Sequence, residues 1–351
     1  MRLIFFMIML LAGLLLWTPD SSFDHLKAFY ETPQSELVPT PESLIFAEDN
    51  PASLEPAPTV VLIHGMGSSL QTWDEWTRLL KPHARVLRFD LPGLGLSSAP
   101  ASKDYSDQAE LKRLEQFLAR KKVEHFILAG HDLGARLAWR YTSLHPENVT
   151  HLVLLSPEGF TQQTVDAFKK QMEGADGTLL NVPSLNAPLL NSPSLNVPLY
   201  NTPFYLELMR FTLPKWLVKI WLESAYADPS LITEQTLARY HDMLLAPGVR
   251  SQLIERLSQS KAMDFSAPQE GITTPTLLIW GENDLITPLS QLDVYQHLLP
   301  LAKTWVLSNT GHLIQEENAP ESIKAFLAFI KNPQSSEFES RPGNSTSAKP
   351  N

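Results

Sequence analysis

The chain alternates between two patterns of apolar residues. Short, continuous apolar runs occur at 59–65 (TVVLIHG), 84–93 (ARVLRFDLPG), 125–130 (HFILAG), 151–157 (HLVLLSP), 276–281 (TLLIWG) and 303–312 (KTWVLSNTGH). Each is bounded by Gly, Pro or Asn, as expected of strands buried on both faces in a parallel sheet. Between them lie stretches with helical spacing of apolar residues: 108–122, 134–146, 289–300 and 319–331. Strands and helices in alternation predict an α/β fold, a mostly parallel central sheet with helices on both faces. Right-handed crossovers then bring all the strand C-terminal ends to one edge. The turns HGMG, GHDLG, GENDLITP and NTGH fall on that edge.

The alternation stops between 159 and 270. That block is helix-rich, at 214–226 and 232–245, and is expected to be a cap inserted into the core. It contains five copies of Asn-x-Pro-x-apolar across 181–205, beginning at Asn181, Asn186, Asn191, Asn196 and Asn201. A proline every fifth residue excludes helix and paired strand. The unit is too short for a solenoid, so the tract is expected to be an expansion in a surface loop. The core is expected in two parts, 44–158 and 271–331. Residues 20–43, rich in proline and acid, are expected to link into an edge strand, and 332–351 to form a disordered tail.

The N-terminus changes the picture of location. Arg2 precedes an uncharged run, residues 3–17, and Asp20 and Asp24 follow. As a helix that run reaches about 22 Å, short of the ~30 Å hydrocarbon core. This length suits the apolar region of an export signal. No small-x-small cleavage site follows, so residues 1–19 are expected to be an export signal or an N-terminal membrane anchor, with Arg2 cytoplasmic and the rest of the chain extracytoplasmic. A net charge of −10 argues against a nucleic-acid partner. Without cysteine there is no thiolate site or disulfide, and no zinc-type ligand cluster stands out. Neither a metal nor a cofactor is implied.

The chemistry gathers on a few residues. Gly130-His131-Asp132-Leu133-Gly134 is a Gly-x-nucleophile-x-Gly turn between a strand and an amphipathic helix, with aspartate where serine is usual. The alternative for Asp132 is a helix N-cap. His312 follows the last core strand and is the candidate base. Asp284, past the preceding strand, is the candidate acid that orients it, with Glu158 the alternative acid. Glu282 reads as a surface charge. The order Asp132, Asp284, His312 is nucleophile, acid, histidine. The backbone N–H groups of Met66 and Leu133 are the expected oxyanion hole. Asp90 reads as a turn-stabilising residue, because Pro92, Gly93 and Gly95 mark a tight loop.

Over residues 44–331 the segments HGMGSS, DLPGLGLSS, GHDLGA, GENDLITP and NTGH resemble the α/β-hydrolase family. GHD resembles the aspartate-nucleophile branch, the epoxide hydrolases and haloalkane dehalogenases. That resemblance implies a covalent alkyl-enzyme ester on Asp132, cleaved by water, and the apolar cap suggests a hydrophobic small molecule as substrate. It also implies cap tyrosines that donate to an opening epoxide; Tyr200, Tyr205, Tyr226 and Tyr240 are the candidates. Leu133 stands where dehalogenases carry a halide-binding tryptophan, and Gly67 where epoxide hydrolases carry proline. The export-like leader and HG-x-G also resemble serine esterases and carbon–carbon bond hydrolases, with Asp132 in place of serine. A ligand-binding homologue without turnover is the remaining alternative.

Overall fold

A computed structural model describes residues 17–158, 207–260, 272–335 and 338. Eight strands form one sheet: β1 (Ser35–Pro39), β2 (Leu44–Asn50), β3 (Thr59–Ile63), β4 (Arg85–Phe89), β5 (Phe126–Asp132), β6 (Val149–Pro157), β7 (Thr276–Gly281) and β8 (Lys303–Leu307). The order is β1-β2-β4-β3-β5-β6-β7-β8. The strands from β4 to β8 pair parallel, and β1 and β2 add antiparallel at one edge. The strand that ends in Asp132 is therefore central, and all seven of its residues are buried.

The two-residue period of each strand divides the core. Val61, Ile63, Leu128, Leu154 and Trp280 face one layer. There they pack against α3 (Asp107–Arg120), α4 (Leu133–Leu144) and α8 (Leu292–Leu298). Val60, Leu62, Ala129, Val153 and Ile279 face the other, against α2 (Asp74–Leu80) and α10 (Ala319–Lys331). On that side the rings of Trp73, Trp76 and Phe326 meet edge to face, at 5.1 and 5.4 Å between centroids. Trp76 Nε1 donates to Ser322 Oγ at 3.0 Å, so its one polar atom is satisfied in the core.

Above the strand C-terminal ends sit the cap helices α5 (Lys215–Ala225), α6 (Glu234–Leu244) and α7 (Val249–Ser260). Their inner residues, among them Leu222, Leu237 and Leu253, join the first core layer. A short helix, α9 (Ile314–Glu317), leads from the last loop into α10.

Three expectations need correction. Residues 20–43 do not form a linker. They hold α1 (Phe23–Tyr30), capped by Ser22, and the edge strand β1. Leu26 is the one buried residue of α1, too little for a periodic signal. Polar bonds secure this arm to the cap: Tyr30 Oη donates to Asp242 at 2.8 Å, and Arg250 pairs with Asp20 at 2.6 Å. The tail begins packed, because Phe338 is buried against Trp305 and Phe329. The strand expected over 303–312 ends at Leu307, five residues before His312, and the loop that carries His312 begins there. The Asn-x-Pro tract and the apolar run up to residue 16 lie outside the described residues. Among the described residues, no helix is long and apolar enough to cross a membrane.

Candidate active site

Asp132 is the last residue of β5, and α4 starts at Leu133. No residues remain for a loop, so the chain reverses within Asp132 itself, at φ 51° and ψ −119°. For a residue with a Cβ this backbone is strained, and such strain persists only where the surroundings enforce it. The flanking glycines show how. A Cβ on Gly130 would stand 2.3 Å from the carbonyl oxygen of Gly134, and one on Gly134 would stand 2.2 Å from that of Ile63. Helix and strand touch backbone to backbone, and any side chain there would open the turn.

The Asp132 side chain makes no capping bond to α4, which removes the N-cap alternative. Instead Oδ2 accepts the backbone N–H of Met66 at 2.9 Å. Leu133 opens α4, so its N–H has no partner within the helix and carries the positive end of the helix dipole. One carboxylate oxygen thus already rests on the first of the two N–H groups expected to form the oxyanion hole.

His312 Nδ1 donates to Asp284 Oδ2 at 2.9 Å. Asp284 Oδ1 accepts the N–H groups of Ile286 and Thr287 at 2.9 and 2.8 Å, which fixes the carboxylate plane. All three groups are buried. Burial works against a charged His312, but the negative charges of Asp284 and Asp132 outweigh it and hold the imidazole above its ordinary range. With Nδ1–H committed, Nε2 is the basic atom.

Glu158 is placed differently. Its carboxylate pairs with Arg136 at 2.8 Å, within a buried group where Asp107 joins Arg136 and Arg140 at 3.1 and 2.9 Å. Burial raises the Glu158 carboxyl, Arg136 opposes this, and Asp132 adds to it. Its backbone N–H donates to the carbonyl of Asp132 at 3.2 Å, so Glu158 braces the turn at Asp132. Asp284 is the acid that meets His312.

Of the four tyrosines, Tyr200 and Tyr205 lie outside the described residues. Tyr226 and Tyr240 donate to Glu316 at 2.9 and 2.7 Å. Arg239 and Thr72 donate to the same carboxylate at 2.5 and 2.6 Å. The two hydroxyls are thus tied to Glu316, and donation to a substrate requires exchanging that bond. Asp90 accepts the N–H groups of Leu70 and Leu96 at 2.6 and 2.7 Å and fastens its loop.

Sequence reasoning did not single out Glu316, Glu317 or His131. Glu317 accepts N–H groups from Gly311 and Asp228 at 2.6 and 2.9 Å, and His312 N–H donates to Ala225 at 2.7 Å. The histidine loop is therefore fastened to the cap. Burial keeps His131 well below its ordinary range, and its Nε2–H donates to the carbonyl of His312 at 3.0 Å. Two acids four and five residues after the histidine were the only signal. Among the described residues no His, Asp or Glu cluster has the form of a metal site.

The family profile described as alpha/beta hydrolase fold matches residues 58–319. Among curated proteins, the chain is 23% identical over 288 residues to monoacylglycerol lipase abhd6-A of Xenopus laevis, covering 80% of this chain and 77% of that one. It is 24% identical over 289 residues to Lipase 1 of Psychrobacter immobilis, covering 82% and 80%. Among solved structures, a membrane phospholipase A matches with a TM-score of 0.62 and 23% identity, over 95% of this chain and 98% of that one. The meta-cleavage product hydrolase CumD of Pseudomonas fluorescens matches with a TM-score of 0.63 and 20% identity, over 82% and 94%.

Proposed function

The chain belongs to the α/β-hydrolase fold family, and from that we propose that it hydrolyses a hydrophobic small molecule through a covalent alkyl ester on Asp132. The electrophile is a saturated carbon, in an epoxide-like substrate. The observation that carries this reading is the bond from Met66 N–H to Asp132 Oδ2. A nucleophile whose attacking atom sat in the oxyanion hole would be blocked there. A carboxylate has two oxygens, and here one is held while the other is available.

In this scheme Oδ1 attacks the carbon and the carbon–oxygen bond of the epoxide breaks. The opened oxygen takes a proton from a cap hydroxyl, for which Tyr200 and Tyr205 are candidates beside Tyr226 and Tyr240. His312 Nε2 then removes a proton from water, and the water oxygen adds to Cγ of Asp132. The negative charge that develops on Oδ2 falls where Met66 N–H, joined by Leu133 N–H, stabilises it. Collapse breaks the Cγ–Oδ1 bond; the diol leaves with that oxygen, taking the proton held on His312 Nε2, and the Asp132 carboxyl returns its proton to the cap hydroxyl. Attack of a carboxylate on an acyl carbon would instead give an anhydride, a high-energy intermediate.

A hydrophobic substrate accords with the lipases among the relatives. Those names also favour a second reading: an esterase-like or carbon–carbon hydrolase ancestor in which Asp132 has replaced serine.

The deciding experiment is intact-protein mass spectrometry of His312→Gln, incubated separately with epoxides, alkyl halides and activated esters. An epoxide-mass adduct on the Asp132 peptide supports the proposal, and a dehalogenated alkyl adduct reassigns it to dehalogenation. A single turnover of the native protein in heavy-oxygen water should place the label in Asp132, not in the product. If no panel gives an adduct and Asp132→Ser acquires esterase activity, the second reading replaces the first.

A further inference from the structure

The cap carries an apolar face that the core does not cover. On α5, Trp216 and Ile220 are 60% and 42% exposed, and just before it Phe211 is 62% exposed. The four-residue spacing puts Trp216 and Ile220 on one side of the helix. Its other side, Val218, Leu222 and Ala225, is buried. Trp17, 60% exposed, lies beside this face: Thr18 N–H donates to the Phe211 carbonyl at 3.0 Å, and Leu213 N–H to Thr18 Oγ1 at 3.1 Å. Lys215 and Lys219 stand exposed along the same helix, the latter 3.9 Å from Glu223. Leading into Trp17 are residues 3–16, which carry no charge.

We propose that this face of the cap rests on a lipid bilayer, with Trp17, Phe211 and Trp216 at the headgroup boundary and the two lysines toward anionic headgroups. Large aromatic side chains grouped on a surface are costly in water and need a partner. Tryptophan in particular favours the membrane–water boundary, where its ring is half apolar and half polar. Lysines beside it are drawn to anionic lipid. The uncharged segment ends at the edge of the patch, so an apolar stretch of chain and an apolar surface meet at Trp17. Ala225, at the end of the same helix, holds the N–H of His312. A helix resting on the bilayer is therefore bonded directly to the catalytic loop. The inference holds whichever electrophile Asp132 attacks.

The chain has no cysteine, so one introduced residue can be labelled alone. Full-length Ile220→Cys protein, carrying an environment-sensitive nitrobenzoxadiazole label, would be reconstituted with phosphatidylcholine–phosphatidylglycerol vesicles. Leu144→Cys and Leu301→Cys are the controls. Those residues are 63% and 72% exposed, at the end of α4 and ahead of β8, on the sheet edge away from the cap. The expected result is a several-fold rise and a blue shift of emission at position 220, with neither at 144 or 301. No change at 220, or equal changes at all three, overturns the proposal. So does a change at 220 on raising protein concentration without vesicles, which assigns the face to a second copy of the chain. None of these readouts depends on turnover.

Discussion

Asp284→Asn tests the site most directly. Asp284 Oδ1 accepts two backbone N–H groups, from Ile286 and Thr287. In the variant only the amide oxygen can occupy that position, because an amide NH2 there would face two donors. The amide nitrogen must then take the place of Oδ2 and point a donor at His312 Nδ1. His312 responds by placing its proton on Nε2, the atom that has to accept one from water. It also loses the largest charge that supports its protonated form. A wrong tautomer of this kind costs a triad about 10⁴-fold, or about 5.5 kcal/mol of barrier. Attack by Asp132 needs no base, so only the second step should slow. Rapid-quench kinetics with mass spectrometry on an accepted substrate should show adduct formation close to the native rate and adduct hydrolysis reduced about 10⁴-fold. A loss of less than about tenfold, or slowed formation with no adduct, would refute this account of Asp284.

Four further outcomes follow from the same geometry. Because the folded-state pKa of His312 is raised above the ordinary ~6.5, the His312–Asp284 attraction stabilises the fold fully below that value. The contribution is lost as pH rises through the raised pKa, which denaturant titrations across that window should show. Turnover needs neutral His312, so its acidic limb should lie above ~6.5, and a limb below it would contradict the raised pKa. Glu316→Ala leaves Tyr226, Tyr240 and Arg239 without the carboxylate they share. Breaking such a buried pair costs about 3–5 kcal/mol, and a thermal midpoint within a degree or so of native would count against the network. Gly134→Ala drives a Cβ to 2.2 Å from a backbone oxygen; it should cost at least ~1–3 kcal/mol and most of the activity, measured by thermal melts and turnover together.

Much of the fold is legible along the chain. The strand at 276–281 and the helix at 319–331 coincide with the expected ranges, and the others shift at their ends. The runs are readable because a strand buried on both faces must be apolar at every position. The edge elements α1 and β1 were not readable. One buried leucine in α1 and one buried valine in β1 leave no period to detect. The same holds for Phe338, a lone aromatic in a polar tail. Within the site, the Gly-x-Asp-x-Gly turn announces itself because close backbone approach admits only glycine on either side of it.

Local pattern determined the class of fold and the edge of the sheet where the candidate residues gather, and it singled out Asp132 and His312 as candidates. Partners were decided only by tertiary structure. Nothing in the spacing of Asp284 and Glu158 says which carboxylate meets His312. The choice follows from Arg136, one turn along α4 from Asp132, which engages Glu158 in a buried ion pair. Nor does the spacing show that Tyr226, Tyr240 and Thr72 meet at Glu316, since Thr72 lies 244 residues from it in sequence. Periodicity reports which face of an element is buried. It carries no information about which distant polar group waits there, and in a buried site that pairing sets every proton and every charge.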